Sequence, residues 1–265
     1  MLDGAYNVVK SFERTIRRTI KRGGNDALPP DAHSLFGPIY EACRPYTMTG
    51  ALRMHALFDA LRYVTSAGVA GDVVECGVWR GGSAMVAALA MLRLGAAPRD
   101  IWLFDTFEGM PEPTERDVTL DGKPARARWQ RGRRGNGRRG DGNDWCFAPL
   151  ADVRANLART GYPQQHLHFV QGQVEQTIPT SAPQRIAVLR LDTDWYDSTY
   201  HELTHLYPRL SVGGVIIIDD YDTWDGARQA TDQYFGEIGR APLLSRIDGA
   251  GRVGVKCFSE TVAVP

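Results

Sequence analysis

The sequence predicts an α/β protein built on a doubly wound, mostly parallel sheet that ends in an antiparallel hairpin. Apolar segments of strand length alternate with helical patterns from residue 72 onward. Two of these segments, residues 186–191 and 214–218, are apolar apart from Arg190 and end abruptly in paired carboxylates, as buried parallel strands can. The last two segments flank Asp248-Gly249-Ala250-Gly251, a sequence typical of a hairpin turn.

The elements follow from hydrophobic periodicity. Residues 49–67 are predicted to form an amphipathic helix, because Leu52, Phe58, Leu61 and Val64 recur at helical spacing. A polar segment separates the second strand from the later elements. The remaining predicted elements are strand 72–76, helix 83–94, strand 101–105, helix 148–160, strand 166–170, strand 186–191, helix 198–210, strand 214–218, helix 224–238 and hairpin strands 243–247 and 253–258.

The chain is predicted to have two parts. Residues 1–48 form a helical arm and linker, and residues 49–265 form a single domain with a lid insertion at about 108–147. Residues 6–21 are basic with a helical period, so they either pack on this or a neighbouring subunit or lie on a membrane surface. Their thin apolar stripe favours packing. We therefore expect a homodimer or higher homo-oligomer rather than a membrane partner.

Composition excludes several classes of function. Lys plus Arg and Asp plus Glu both total 31, so the overall charge predicts neither nucleic-acid nor membrane binding. The four cysteines are scattered without the spacing of a zinc site or a disulfide framework. The chain has no apolar segment long enough to span a bilayer and no signal-peptide core. These observations indicate a reduced, cytoplasmic protein.

Carboxylates cluster at two predicted strand ends. Asp192 and Asp194 follow the strand at 186–191, and Asp219 and Asp220 follow the strand at 214–218. Neighbouring parallel strands open onto one ligand crevice at their carboxyl ends, so we expect these four groups to converge. Such crowding is repulsive unless a cation or a proton compensates. Oxygen donors favour a hard cation, Mg²⁺ before Ca²⁺ or Mn²⁺.

The first strand leads into a glycine-rich turn at residues 75–83, which lets backbone approach a ligand before a helix begins. The dinucleotide spacing G-x-G-x-x-G is absent, which weighs against an NAD enzyme. Glu75 at the strand tip suits an ammonium group. Ser83 either caps the helix or binds the carboxylate of a cofactor. Asp105, at the next strand end, either accepts ribose hydroxyls or forms a turn before Thr106.

Five segments together resemble the macrocin O-methyltransferase family of natural-product sugar O-methyltransferases. They are Tyr-Thr-Met-Thr (46–49), Val-Glu-Cys-Gly-Val-Trp-Arg-Gly-Gly (74–82), Phe-Asp-Thr-Phe-Glu-Gly-Met-Pro (104–111), Leu-Arg-Leu-Asp-Thr-Asp (189–194) and Ile-Asp-Asp-Tyr (218–221). The resemblance implies a Rossmann-like class I methyltransferase fold. It also implies that S-adenosylmethionine and Mg²⁺ are used to methylate a deoxysugar hydroxyl of a macrolide or aminocoumarin in antibiotic biosynthesis.

The resemblance also assigns roles to residues of this chain. Asp192, Asp219 and Asp220 would bind the metal, and Asp194 would be the general base that takes the hydroxyl proton. The partner would be a glycosylated small-molecule acceptor. The expected cofactor-binding residues are Thr47, Met48, Thr49, Glu75, Gly77, Trp79, Arg80, Gly81, Ser83, Asp105, Thr106, Phe107, Trp145, Gly172, Gln173, Val174 and Asp192.

Other interpretations remain open at this stage. Asp192-Thr193-Asp194 is similar to the D-x-D motif of haloacid-dehalogenase phosphatases, although one helix and one strand leave little room for their other motifs. The Arg/Gly-rich residues 125–140 resemble RNA-binding low-complexity sequence, or form a lid that suits an anionic acceptor. Asp220 and Asp194 could instead serve as helix-start residues. We interpret the Arg-rich segment as a lid.

Overall fold

The computed structural model describes residues 27–132 and 143–259; the predicted arm helix and residues 133–142 of the Arg-rich segment lie outside them. The described strands are β1 Asp72–Cys76, β2 Ile101–Asp105, β3 Leu167–Gln171, β4 Ile186–Leu191, β5 Leu210–Ile218, β6 Ser245–Arg246 and β7 Arg252–Val255. The described helices are α1 Phe36–Cys43, α2 Ala51–Ser66, α3 Gly82–Arg93, α4 Arg126–Gly132, α5 Leu150–Ala158, α6 Val174–Thr177, α7 Tyr196–Leu206 and α8 Asp225–Glu237. Short 3-10 turns cover Arg44–Tyr46, Gln164–His166 and Tyr207–Arg209.

The strands form one sheet in the order β3-β2-β1-β4-β5-β7-β6. The first five strands in that order are mutually parallel, whereas β7 runs antiparallel to both β5 and β6. The predicted fold, a doubly wound parallel sheet closed by an antiparallel hairpin, is therefore confirmed. The strand order reverses around β1, so the carboxyl ends of β1 and β4 flank the crevice where such sheets bind ligands.

Alternating strand residues divide the core into two layers. Val73 and Val188 pack with helices α1, α2 and α3 on one face of the sheet. Val74 and Leu189 pack with helices α7 and α8 on the other. Every residue of β4 is buried, as expected for a central parallel strand covered on both faces.

The structure contains elements that periodicity did not predict. Helix α1 packs against α3, with Phe36 and Tyr40 fully buried. Strand β5 begins four residues before the predicted one, because Leu210 pairs with Ile186 across an irregularity in the ladder. Helix α4 lies inside the predicted polar insertion. Nowhere in residues 27–132 and 143–259 is there a helix long and apolar enough to cross a bilayer.

The insertion is joined to the main domain by backbone hydrogen bonds. Thr119 forms an isolated bridge with Trp224, and the N–H of Asp225 donates to the carbonyl of Val118 at 2.8 Å. These contacts fasten the insertion to the start of α8. The insertion therefore stands beside the carboxyl ends of the strands, where β5 leads into α8.

Candidate active site

The register of the sheet sets the ends of four strands in one row. Cys76 pairs with Phe104 and with Leu191, and Leu191 pairs with Ile218. The next residues continue these ladders, because the N–H of Asp192 donates to Cys76 and the N–H of Asp219 donates to Leu191, both at 2.9 Å. The sheet thus holds the first residue after each strand within the same layer.

Gly77 is the member of this row at the end of β1. It has φ 83°, and an added Cβ would lie 1.9 Å from the carbonyl oxygen of Asp192. Real atoms do not approach so closely, so only glycine lets the β1 and β4 ends come together here. The turn after β1 and the acidic end of β4 are consequently in direct contact.

Three carboxylates meet beyond this row. Asp192, Asp194 and Asp220 each place one carboxylate oxygen within 4.8 Å of the others. Asp194 has φ 69°, an uncommon left-handed conformation for a non-glycine residue. The Oδ2 atom of Asp220 is buried without a hydrogen-bond donor in the described part of the chain. We call Asp192, Asp194 and Asp220 the acid cluster.

Burial and mutual repulsion raise the pKa values of the three carboxyl groups in the acid cluster. Burial, together with the charges of Asp192 and Asp219, raises the pKa of Asp194 to about 7. Burial and neighbouring carboxylates also hold the pKa of Asp192 and of Asp220 well above the ordinary aspartate value. The fold therefore disfavours full ionisation of the acid cluster in the absence of a cation.

Asp219 lies beside the acid cluster but is bound by two guanidinium groups. Arg190 Nη2 donates to its Oδ1 at 2.6 Å, and Arg53 binds its Oδ2. Arg190 also bridges to Asp192 at 2.8 Å and to Glu75 at 2.6 Å. Burial opposes the charge of Arg190, but these three carboxylates raise its pKa well above its ordinary value. The buried arginine therefore organises three of the strand-end carboxylates.

Glu75 is enclosed rather than presented to a ligand. It is 3% exposed, accepts the hydroxyl of Ser83 and pairs with Arg190. Burial raises its pKa, against the opposing effect of Arg190. Ser83 thus binds Glu75 instead of capping α3, and no side-chain cap is formed there.

Asp105 connects the second strand end to the glycine turn. Its Oδ2 accepts the N–H groups of Val78 at 2.7 Å and Trp79 at 3.0 Å, and its Oδ1 accepts the N–H of Phe107 at 2.6 Å. Burial nevertheless raises the pKa of Asp105. The carboxylate shapes two ligand-facing turns, which agrees with the turn-forming interpretation and leaves the ribose role as a prediction.

A cavity of about 280 Å³ opens over the strand ends. Most predicted site residues line it: Thr47, Met48, Thr49, Gly77, Trp79, Ser83, Asp105, Thr106, Trp145, Gly172, Gln173, Val174, Asp192, Asp194, Asp219 and Asp220. The predicted residues outside this lining are Glu75, Arg80, Gly81 and Phe107. Arg80 stacks on Trp79 at 4.9 Å, Gly81 begins α3 with φ 86°, and Phe107 is buried in the core.

Three tryptophans stand at the insertion side of the cavity. The ring centroids of Trp145, Trp195 and Trp224 are 5.1 to 6.0 Å apart. Trp145 and Trp224 line the cavity, and the guanidinium of Arg128 lies 4.1 Å from the Trp145 ring centroid. We call Trp145, Trp195 and Trp224 with Arg128 the tryptophan wall.

Sequence reasoning did not assign site roles to Arg53, Arg190, Arg128 or Trp224. A signal existed for Arg190, because a charge inside a continuously apolar strand needs a buried partner. Arg53 is an ordinary helical arginine in the sequence, and it meets Asp219 across 166 residues. The tryptophan wall draws on three separate segments, so no local pattern identifies it.

The balance of charge at the strand ends indicates whether a cation would fit there. Five carboxylates (Glu75, Asp192, Asp194, Asp219 and Asp220) surround two arginines, Arg53 and Arg190. Both arginines bind Asp219, which leaves the acid cluster under-compensated. Carboxylate oxygens with raised pKa values and one unpartnered buried oxygen are the donor set that a hard divalent cation takes. The residues present therefore fit such an ion.

Comparison with known proteins agrees with this geometry. Residues 42–253 match the family described as Macrocin-O-methyltransferase (TylF). The chain is 39% identical to 8-demethyl-8-(2,3-dimethoxy-alpha-L-rhamnosyl)-tetracenomycin-C 4'-O-methyltransferase of Streptomyces olivaceus, over 78% of this chain and 74% of the relative. It is 34% identical to Mycinamicin III 3''-O-methyltransferase of Micromonospora griseorubida, over 78% of this chain and 76% of the relative.

A solved structure shows the same likeness. The O-methyltransferase NovP superposes with a TM-score of 0.68 at 27% identity, covering 96% of this chain and 98% of NovP. These matches support neither the phosphatase nor the RNA-binding interpretation. The chain belongs to the macrocin O-methyltransferase family and is an O-methyltransferase.

Proposed function

We propose that this enzyme transfers a methyl group from S-adenosylmethionine to a sugar hydroxyl of a glycosylated natural product, with Mg²⁺ as a second cofactor, in secondary-metabolite biosynthesis. One observation carries the proposal: the acid cluster and the glycine turn line the same cavity. The names of the relatives support the acceptor class, since one acts on a rhamnosyl tetracenomycin and another on mycinamicin III.

The cofactor would lie over the glycine turn at the end of β1. Gly77 and Trp79 expose backbone there, and Asp105 holds their turn in shape by accepting the N–H groups of Val78 and Trp79. When bound, S-adenosylmethionine supplies the sulfonium methyl group. The segments 47–49 and 172–174 complete the wall around this position. These residues orient the cofactor and exclude water, which favours transfer by positioning.

The cation would be held by Asp192 and Asp220 of the acid cluster, with Asp219 as the third ligand that the family resemblance implies. Arg190 keeps Asp192 and Asp219 in place through bonds of 2.8 and 2.6 Å. When bound, a divalent cation lowers the pKa of a nearby hydroxyl, as it does for water. Asp192 and Asp220 already converge in the acid cluster, whereas Asp219 would have to share or release a guanidinium partner to bind the ion.

Asp194 would be the general base. In the metal-free cavity, burial and the neighbouring carboxylates raise the pKa of Asp194 to about 7, which makes it a stronger base than an ordinary aspartate. It lines the cavity with Asp192 but has no arginine ion pair within the described residues. It is thus the cluster member most available to accept the hydroxyl proton.

The proposal is tested by calorimetry and an acceptor screen. The full chain is titrated with S-adenosylmethionine, with and without Mg²⁺, and separately with Mn²⁺ as a metal probe. Methyl transfer is then followed by mass spectrometry with mycinamicin III and with the rhamnosyl tetracenomycin named for the Streptomyces olivaceus relative. We expect transfer to at least one of them and its loss on chelation. Full activity after exhaustive chelation would contradict the role of the metal. Absence of transfer to any glycosylated acceptor would contradict the proposed acceptor class.

We further propose that residues 108–147 serve as a lid and that the enzyme is a homodimer or higher oligomer. Met110, Arg128 and Trp145 from this insertion line the cavity, which supports the lid. The oligomer rests on the family resemblance. Light scattering after gel filtration measures the mass of the assembly, and a mass near 29.3 kDa would contradict it.

A further inference from the structure

The tryptophan wall contains hydrogen-bond donors that the fold does not use. The indole N–H of Trp195 donates to the carbonyl of Pro111 at 3.1 Å, and that of Trp129 donates to Met110 at 2.9 Å. The indole N–H groups of Trp145 and Trp224 have no acceptor among residues 27–132 and 143–259. Trp195 therefore fastens the insertion to the main domain and Trp129 braces it internally, whereas the indole donors of Trp145 and Trp224, which line the cavity, remain available.

Arg128 also has hydrogen-bond donors that the described residues do not use. Its guanidinium stacks on Trp145 at 4.1 Å and forms no ion pair or hydrogen bond with any other residue that the structure describes. Its neighbour on α4, Arg126, is bound to Glu112 at 2.8 Å and to the carbonyl of Pro113. Stacking on Trp145 fixes the plane of the Arg128 guanidinium and leaves its N–H groups available. Arginine presents hydrogen-bond donors to an oxygen ligand in this way.

The two sides of the cavity are complementary. The acid cluster offers hydrogen-bond acceptors, whereas Arg128, Trp145 and Trp224 offer donors and an aromatic surface. A sugar ring matches both, because its hydroxyls donate and accept and its C–H face packs on indole. An anion matches poorly. Arg53 is already bound to Asp219 and Asp248, so Arg128 is the one uncommitted guanidinium among the described lining residues, against six carboxylates.

We infer that Arg128 is a specificity-determining residue for the acceptor: its guanidinium hydrogen-bonds an uncharged oxygen substituent of the sugar that is methylated, with Trp145 and Trp224 forming the rest of that subsite. This inference rests on the proposed function. It assigns the tryptophan wall to acceptor binding, whereas the family resemblance assigned Trp145 to the cofactor. Arg128 would bind the sugar and Asp194 would take its proton. Because the charge of Arg128 also lowers the pKa of Asp194, we expect loss of Arg128 to act mainly on KM and to change kcat less.

The test compares three variants of the full chain. Arg128→Met keeps an apolar stem on Trp145 but removes the donors, and Arg128→Lys keeps the charge but removes the fork. Arg131→Met is the matched control, because Arg131 is exposed on the same helix and is not a lining residue. Binding of mycinamicin III and of the rhamnosyl tetracenomycin is measured by calorimetry on S-adenosylhomocysteine-loaded enzyme, at two salt concentrations. The kcat and KM are measured wherever turnover occurs.

We expect Arg128→Met to weaken acceptor binding and raise KM by about 10- to 100-fold, the effect of losing a charged hydrogen bond. S-adenosylhomocysteine affinity should stay within about twofold, the change in KM should exceed any change in kcat, and Arg131→Met should match the parent. Acceptor affinity should not depend on salt.

Each of the other possible results contradicts a specific part of this inference. Unchanged acceptor binding in Arg128→Met would remove Arg128 from the subsite and leave the proposed function standing. Full rescue by Arg128→Lys with salt-sensitive affinity would replace the uncharged sugar oxygen with an anionic group. Absence of acceptor binding and of turnover with both probes in the unmodified enzyme would remove the proposed acceptor class, and this inference with it.

Discussion

The strand-end row and the tryptophan wall border the same cavity but are built differently. The row is fixed by a backbone ladder in which Asp192 and Asp219 each donate an N–H at 2.9 Å to the neighbouring strand. The wall is assembled from loop segments: the indole N–H of Trp195 donates to the carbonyl of Pro111 at 3.1 Å, and the N–H of Met110 donates to the carbonyl of Trp145 at 2.9 Å. A ladder shared by neighbouring strands restricts the row more tightly than single loop hydrogen bonds restrict the wall.

This difference separates two tasks. Proton and charge chemistry needs groups held within fractions of an ångström, and the ends of a parallel sheet provide that rigidity. Choice of acceptor needs surfaces that vary, and an inserted segment provides them without disturbing the sheet. We therefore expect substitutions at the strand ends to change kcat or stability, and substitutions in the wall to change KM.

The largest effect is expected for Asp192→Asn. Loss of one carboxylate from the acid cluster, and of the 2.8 Å bond to Arg190, should reduce kcat by about 1000-fold, which corresponds to about 4 kcal/mol of transition-state stabilisation. S-adenosylhomocysteine affinity, measured by calorimetry, should remain within a few-fold. Asp197→Asn is the control, since Asp197 is an exposed residue in the first turn of α7. Full activity in Asp192→Asn would remove this residue from the metal site.

Gly77→Ala tests the rigidity of the strand-end row. The left-handed φ and the contact with the Asp192 carbonyl should together cost about 3 kcal/mol of unfolding free energy. Gly122→Ala is a matched control within the insertion, because Gly122 has φ 80° but open space around its Cβ position. It should cost only about 1 kcal/mol. Equal losses in denaturant unfolding would show that the row is no more constrained than the insertion.

Asp194→Asn separates the base from the metal ligands. Removing a general base should slow kcat by about 100-fold. Mn²⁺ affinity, measured by calorimetry, should change little, and KM for the acceptor should remain near that of the parent enzyme. This is the opposite kinetic signature to that of Arg128→Met. A change in KM without a change in kcat would mean that Asp194 binds the acceptor rather than its proton.

The smallest effect is a pH-dependent stabilisation by Mg²⁺. Folding raises the pKa of Asp194 to about 7 and that of Asp192 and Asp220 well upward. The folded state thus binds more protons than the unfolded state at these positions, so their contribution to metal-free stability is present below the ordinary aspartate pKa and is lost as pH rises through the raised pKa of Asp194, about 7. At about 100 times its Kd, Mg²⁺ should raise Tm by roughly 5 °C at pH 8. The shift should be smaller at pH 6, and an equal shift at both would contradict the link to the acid cluster.

Part of the fold and of the site can be predicted from local sequence pattern alone. Periodicity predicted the parallel strands and the closing hairpin, and paired carboxylates after two apolar segments predicted an acidic crevice. Helix α1 was missed because it is only eight residues long. Helix α4 was missed because its sequence is dominated by arginine and glycine rather than by an apolar stripe.

The sequence alone determined the parallel sheet and the carboxylates at the carboxyl ends of its strands. Both can be predicted locally, because a strand and the residues that follow it are adjacent in the chain. Only the tertiary structure decided which of those carboxylates are already partnered. Arg53 reaches Asp219 from 166 residues away, and Arg190 binds Glu75 across 115. A buried charge is satisfied by whatever lies within about 3 Å of it, and that proximity is created by packing rather than by order along the chain. The acid cluster and the tryptophan wall are therefore products of the fold.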